Sequence, residues 1–271
     1  KGVMADEARF ETGEEARRFG RLARIEARNA ASADLVFCTS EYSASKASYH
    51  YGINTDRVRV VPEGIRAEKW IDLGDRAMAG RADRTGGPVI LSVARQYRRK
   101  NTRSLLRAFA GLLGTHPGAE LRIVGEGPEL PALRSLAGAL GIESSLRFAG
   151  SLDGLNSLQA EYARADIFCL PSLQEGFGIV FLEAMAAGLP IVAARAGAVP
   201  EVAPDGQVSL LVPPDDDTAL TAALRQLSES PGRRRELGAA GMRRWPAYDW
   251  PRVASRFLAA CLPASEAAAS R

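Results

Sequence analysis

ADIFCLPSLQEGFGIVFLEAMAAGLPIVAA, residues 165–194, decides the fold. Its opening, ADIFCLPS, is a continuous apolar run stopped by Pro171, which reads as a strand buried on both faces. IVFLEAMAA at 179–187 has the length and composition of a helix, and IVAA at 191–194 reads as a further buried strand. Gly176-Phe177-Gly178 is then a strand-to-helix turn. Glycines there allow tight dihedrals and close ligand approach, and the helix behind them offers free N–H groups and the positive end of its dipole. That is the outline of a phosphate site. Glu175 and Glu183 bracket it, and eight helical residues hold them roughly 12 Å apart along the axis, too far to act as one dyad. They would touch different parts of one long ligand. A nucleotide sugar has this form: its diphosphate over the helix start, one carboxylate at the sugar hydroxyls and the other at the ribose.

Outward from that stretch the pattern repeats. Strands are expected at 89–94, 120–124, 146–149, 167–170, 191–194 and 209–212, with helices at 102–113, 129–140, 156–163, 179–187 and 217–228. Apolar strands alternating with helices mean a Rossmann-like parallel sheet covered on both faces, an α/β fold. Ligands bind such a sheet beyond the carboxyl ends of its strands, where Arg95, Gly125, Gly150 and Glu175 fall. Before it, 14–33 and 41–51 read as helices and DLVFCTS and RVRVVP as strands, the elements of a truncated second α/β domain at the N-terminus. Residues 66–87 are charged and glycine-rich with neither period. The expected organisation is 1–66 as the end of an acceptor-side domain, 67–87 as a hinge, 88–245 as the donor domain, and 246–271 as a crossing helix with a disordered tail. Because the first helix leads straight into a strand with no nucleotide-fold half before it, the chain is expected to be a fragment.

Composition narrows the function. With 271 residues, 46% hydrophobic and 25% charged, the chain can build real cores. Thirty-five basic against 32 acidic residues leave a net charge of +3, and no basic run exceeds Arg98-Arg99-Lys100, so nothing asks for nucleic acid. His50 and His116 stand alone, without Cys or carboxylate at ligand spacing, and no metal is expected. Cys38 and Cys169 sit in apolar runs and read as reduced, buried thiols, in keeping with a cytoplasmic protein. No stretch is long and apolar enough for a membrane span. Arg17, Arg21, Arg24 and Arg28 share one helix face, read as solvated, with peripheral contact at the inner face of a membrane left open.

The chain resembles the family 4 glycosyltransferases of GT-B fold, whose signature is this Glu-x7-Glu spacing. VVPEGI (60–65), SVARQYRRKN (92–101), LRIVGEGPEL (121–130) and RFAGSL (147–152) stand in the family's order, and the likeness covers most of 33–260. It implies two facing Rossmann-like domains, a nucleotide diphosphate sugar as donor, no cofactor or metal, and transfer of a hexose to a glycan, lipid-linked or small-molecule acceptor with retention. Glu175 would contact the transferred sugar and support positive charge at its anomeric carbon. Arg95 and Lys100 match the Arg and Lys that neutralise the diphosphate, with Arg98 and Arg99 expected to be solvated. The backbone N–H groups of Gly178, Ile179 and Val180 would bind phosphate, Gly176 would complete the turn, and Phe177 would meet the sugar or fill core. Glu183 would reach the ribose; Gly125 and Gly127 would lie beside the donor, with Ser151 and Leu152 near the base. Leu130 stands where a dinucleotide fingerprint needs glycine, which disfavours a nicotinamide cofactor. One departure is Glu63-Gly64-Ile65-Arg66, where the family usually has Asn-Gly-Val-Asp. Two other readings share the architecture, a non-catalytic nucleotide-binding or interaction module and a GT-B epimerase acting on a nucleotide sugar.

Overall fold

The computed structural model describes residues 2–82 and 86–262. In chain order they form α1 (Met4–Glu7), α2 (Gly13–Ser32), β1 (Val36–Cys38), α3 (Glu41–Tyr51), β2 (Val58–Val60), α4 (Ala67–Trp70), α5 (Leu73–Ala82), β3 (Val89–Val93), α6 (Thr102–Leu113), β4 (Glu120–Val124), α7 (Leu130–Leu140), β5 (Leu146–Gly150), α8 (Gly154–Arg164), β6 (Ile167–Leu170), α9 (Ile179–Ala186), β7 (Ile191–Ala194), α10 (Val199–Val202), β8 (Ser209–Val212), α11 (Asp217–Glu229), α12 (Pro231–Arg244) and α13 (Trp250–Cys261). Six strands make one parallel sheet in the order β5-β4-β3-β6-β7-β8, and β1 and β2 pair in a separate parallel ribbon. The sheet order turns back between β3 and β6, the switch point of a doubly wound fold, where such sheets bind their ligands.

Alternation within the strands builds two cores. Leu91, Phe168, Leu170, Ile191 and Ala193 face one side with Phe181 and Met185 of α9, whereas Ile90, Ile167, Cys169 and Val192 face the other with Phe109 of α6 and Leu224 of α11. Both faces are covered by helices, which is why the central strands β6 and β7 run apolar throughout. Two segments differ from the sequence reading. The aperiodic stretch expected to be a hinge holds α4 and α5, and Trp70 and Leu73 are buried in the core beneath α9. The arginine-rich stretch before Trp245 is α12, packed on α9 through Gly241 against Met185. The helix opening at Trp250 packs on the small ribbon, Ile65 pairing with Asp249 and Phe37 meeting Phe257 with ring centroids 4.5 Å apart. The expected tail after Leu262 lies outside the described residues.

Candidate functional site

The loop after β3 and the loop after β6 meet at the switch point. Arg98–Lys100 coils into a single 3-10 turn, and Lys100 Nζ sits 2.6 Å from Glu175 Oε2. Ser172 Oγ donates to the same carboxylate oxygen at 3.3 Å. A cavity of about 370 Å3 opens beside this pair, lined by Arg95, Tyr97, Lys100, Glu175 and the turn 176–180. Glu63, one of the residues that depart from the family pattern, also lines it, so a carboxylate stands in the cleft wall; Arg66, where the charge is reversed, does not. Arg95 is exposed over the Tyr97 ring and has no carboxylate partner among the described residues.

Gly178 starts α9 with φ +87°, a conformation only glycine takes freely, and a Cβ there would come within 2.5 Å of the Phe181 ring. No side chain caps this helix, and the N–H groups of Gly178, Ile179 and Val180 have no acceptor among the described residues. Three free donors, a helix dipole and Lys100 with Arg95 face one cavity, which is what an anion requires. Phe177 is buried, edge-on to Tyr248, and also lines the cavity, so packing and ligand contact are not alternatives for it.

Glu183 lies one turn further along α9, on the same helix face as Ile179 and Val180. Its partner is the buried Tyr162 hydroxyl, which donates at 2.7 Å, and burial pushes the carboxyl up to about 7 despite that bond. It does not line the cavity. Gly125 and Gly127 lie against the β3 loop: a Cβ on Gly125 would overlap the Ala94 carbonyl, and one on Gly127 the Gln96 backbone. These glycines let two loops touch and do not line the cavity. Ser151 is exposed and Leu152 packs on the core, both away from the Lys100–Glu175 pair's cavity.

Arg99 corrects an expectation. Instead of being solvated, its guanidinium meets Glu7 at 2.8 Å and Glu11 at 3.3 Å, and stacks on Phe19 and Tyr97. Glu11 also accepts the Arg98 and Arg99 N–H groups, so the turn that carries Lys100 is held from the N-terminal helices. Beside Arg99 and Lys100, Glu7 is nonetheless raised above the usual carboxylate range, because burial outweighs both cations. Sequence separation of some 90 residues hid this cluster. No group of three metal-ligating side chains stands together among the described residues.

The model for glycosyl transferases group 1 matches residues 76–244. The chain belongs to that family. Its relatives among group 1 transferases include the GDP-mannose-dependent alpha-(1-6)-phosphatidylinositol monomannoside mannosyltransferase of Mycolicibacterium smegmatis, 33% identical over 237 residues, or 80% of this chain and 59% of the relative. A glycogen synthase of Mycobacterium tuberculosis is 35% identical over 206 residues, 76% of this chain and 48% of the relative. The group 1 fold is shared with the sucrose-phosphate synthase of Thermosynechococcus elongatus (TM-score 0.78, 27% identity, 94% of this chain and 64% of that one). The lipopolysaccharide-biosynthesis glycosyltransferase WaaG overlays with a TM-score of 0.75 at 19% identity, 96% of this chain and 72% of that one, a likeness of fold alone. The chain spans about half the length of the curated relatives it matches.

Proposed function

We propose that this chain carries the donor site of a retaining glycosyltransferase that takes a hexosyl group from a nucleoside diphosphate sugar, with a glycan or lipid as acceptor. The Lys100–Glu175 pair carries the reading. When the bond between the anomeric carbon and phosphate breaks, the electron pair leaves with the phosphate and positive charge grows on the sugar. The two charges arise next to each other. A fixed cation beside a fixed carboxylate complements that separation, with Arg95 and the N–H groups of α9 adding to the phosphate side. The acceptor oxygen forms the new bond to the anomeric carbon, and its proton passes to the departing phosphate. Glu175 need not be a nucleophile, and Glu183 receives ribose hydroxyls one turn away. The family's relatives include a GDP-mannose-dependent enzyme, which makes guanosine diphosphate the first nucleotide to try.

Thermal stabilisation by UDP, GDP and ADP tests this directly. Nucleotide at about 100 times its dissociation constant adds roughly 2.7 kcal/mol. A shift with one nucleotide that disappears in Lys100→Ala supports the reading; a shift that the variant keeps in full removes Lys100 from the site. Glu175→Gln should keep nucleotide affinity while lowering donor turnover about a hundredfold, the size of a lost electrostatic contact to a transition state.

A further inference from the structure

Thr39, Ser40 and Ser43, where β1 runs into α3, aim their hydroxyls at one atom. The Gly176 carbonyl oxygen accepts them at 3.3, 2.7 and 2.9 Å. A carbonyl has two lone pairs, so the two serines saturate it. Both serines are 2% exposed, which leaves no water to replace them. Ser40 Oγ also accepts the Ser43 N–H at 3.0 Å as the N-cap of α3, so one hydroxyl starts the helix and holds the turn.

A second set of bonds reaches the same turn from behind. Ala198 donates its N–H to the Glu175 carbonyl at 2.8 Å, and the Ala198 carbonyl accepts Glu201 and Val202 to begin α10. The two carboxylate oxygens of Glu201 then accept the first N–H groups of α3, those of Glu41 and Tyr42, each at 2.8 Å. These are groups a helix leaves unpaired, at the end where negative charge is favoured. The bonds close a ring: Glu175 to Ala198, through α10 to Glu201, to the start of α3, and back to Gly176. Gly197 completes it, with φ +58° and its Cα pressed against the Glu175 backbone so that no side chain fits.

We infer that the start of α3 is a clamp on the donor turn, and that Ser40, Ser43 and Glu201 are positioning residues acting through the backbone of Glu175 and Gly176. Gly176 has no side chain to brace the turn itself. Held by this ring, the Glu175 carboxylate is fixed against Lys100 and the free N–H groups of 178–180 are aimed at the donor. The smaller ribbon unit thereby orders the site on the larger sheet. The functional half of this inference rests on the donor-site reading; the ordering of the turn does not.

The test compares the 271-residue chain as wild type, Ser43→Ala, Ser40→Ala/Ser43→Ala and Ser40→Thr. Amide hydrogen exchange and calorimetric titration with UDP, GDP and ADP are measured on each. In the double variant the 172–181 segment should exchange about tenfold faster while β3 and β6 keep their protection. Ser43→Ala removes a hydroxyl but not the cap, and should give a smaller change of the same kind. Ser40→Thr, which keeps cap and donor, should leave exchange and affinity at wild-type values. Unchanged exchange at 172–181 in the double variant, loss spread evenly over the sheet, or a threonine variant as loose as the double variant would each overturn the clamp. If the wild type binds no nucleotide yet the turn loosens as expected, the clamp stands and the donor reading falls. Should it bind a nucleotide that the double variant holds equally well, the positioning role falls.

Discussion

Glu183 is the residue whose chemistry the structure changes most. Read from sequence it is a helix glutamate expected at the ribose; in the structure its carboxyl is half-buried on Tyr162 and raised to about 7. A carboxyl raised on folding keeps a proton that the unfolded chain gives up near pH 4.5. Its contribution is therefore full below that pH and declines as pH rises toward 7. Urea unfolding at pH 5, 6, 7 and 8 should show a loss on the order of 1–3 kcal/mol across this window. Glu183→Gln should flatten the slope. Tyr162→Phe removes the bond that favours the charged form, so the decline should continue to higher pH. A slope unchanged in Glu183→Gln would assign the pH dependence to another group, with Glu7 next in line because its carboxyl is also raised. If Glu183 meets the ribose as proposed, its carboxylate is a stronger acceptor of hydroxyl hydrogen bonds than the neutral acid, so nucleotide affinity should rise over the same pH interval in which stability falls.

At the scale of elements, packing decides where glycine is tolerated. α12 was missed because Gly232, Gly238 and Gly241 interrupt its pattern and arginines dominate the rest, whereas α3, α6 and β4 were legible to the residue from their own composition. The reason lies outside α12: Gly238 lets the helix approach the Gly188 carbonyl, and Gly241 lies on Met185 of α9. α5 escaped notice similarly, since Gly74 abuts the Ala186 carbonyl and breaks its period. Gly238→Ala should lower unfolding stability by about 1–3 kcal/mol, overpacking outweighing the better helix former. Gly232→Ala, with nothing near its added methyl, should be neutral or raise stability by up to about 1 kcal/mol. Equal effects in chemical denaturation would mean that α12 does not dock on α9. That Lys100 and Glu175 both lie beyond strand ends could be read from the sequence, whereas their pairing depends on β3 and β6 being neighbours in the sheet. Glu7, Glu11, Ser40 and Ser43 could not be anticipated, because each acts across 87 residues or more with only a local cap or charge showing in its own segment.

Across the whole molecule, α13 is the apolar link between the ribbon and the large sheet. Its start is tied at Ile65, whose N–H donates to the Tyr248 carbonyl at 3.0 Å and whose carbonyl accepts from Trp250 at 3.1 Å, and Asp249 Oδ1 accepts the Ala67 N–H. Beyond that knot, Val253 is 2% exposed and, with Phe257, faces Phe37, Cys38 and Val61 of the ribbon. Two strands alone are marginal in water, so the ribbon depends on helices packed against it. The six-stranded sheet, covered on both faces by its own helices, has no such dependence. Val253→Asp puts a charge where nothing pairs it, and the cheaper response is for α13 to lift off rather than bury it. Amide exchange should then quicken across 36–38 and 58–61, while β3, β6 and β7 keep wild-type protection. If the start of α3 holds the donor turn, the loosening must also travel to 172–181, because Ser40 and Ser43 follow β1 directly. Faster exchange in the ribbon with a fully protected donor turn would show that Glu201 alone anchors α3, and that ordering of the site is independent of the ribbon.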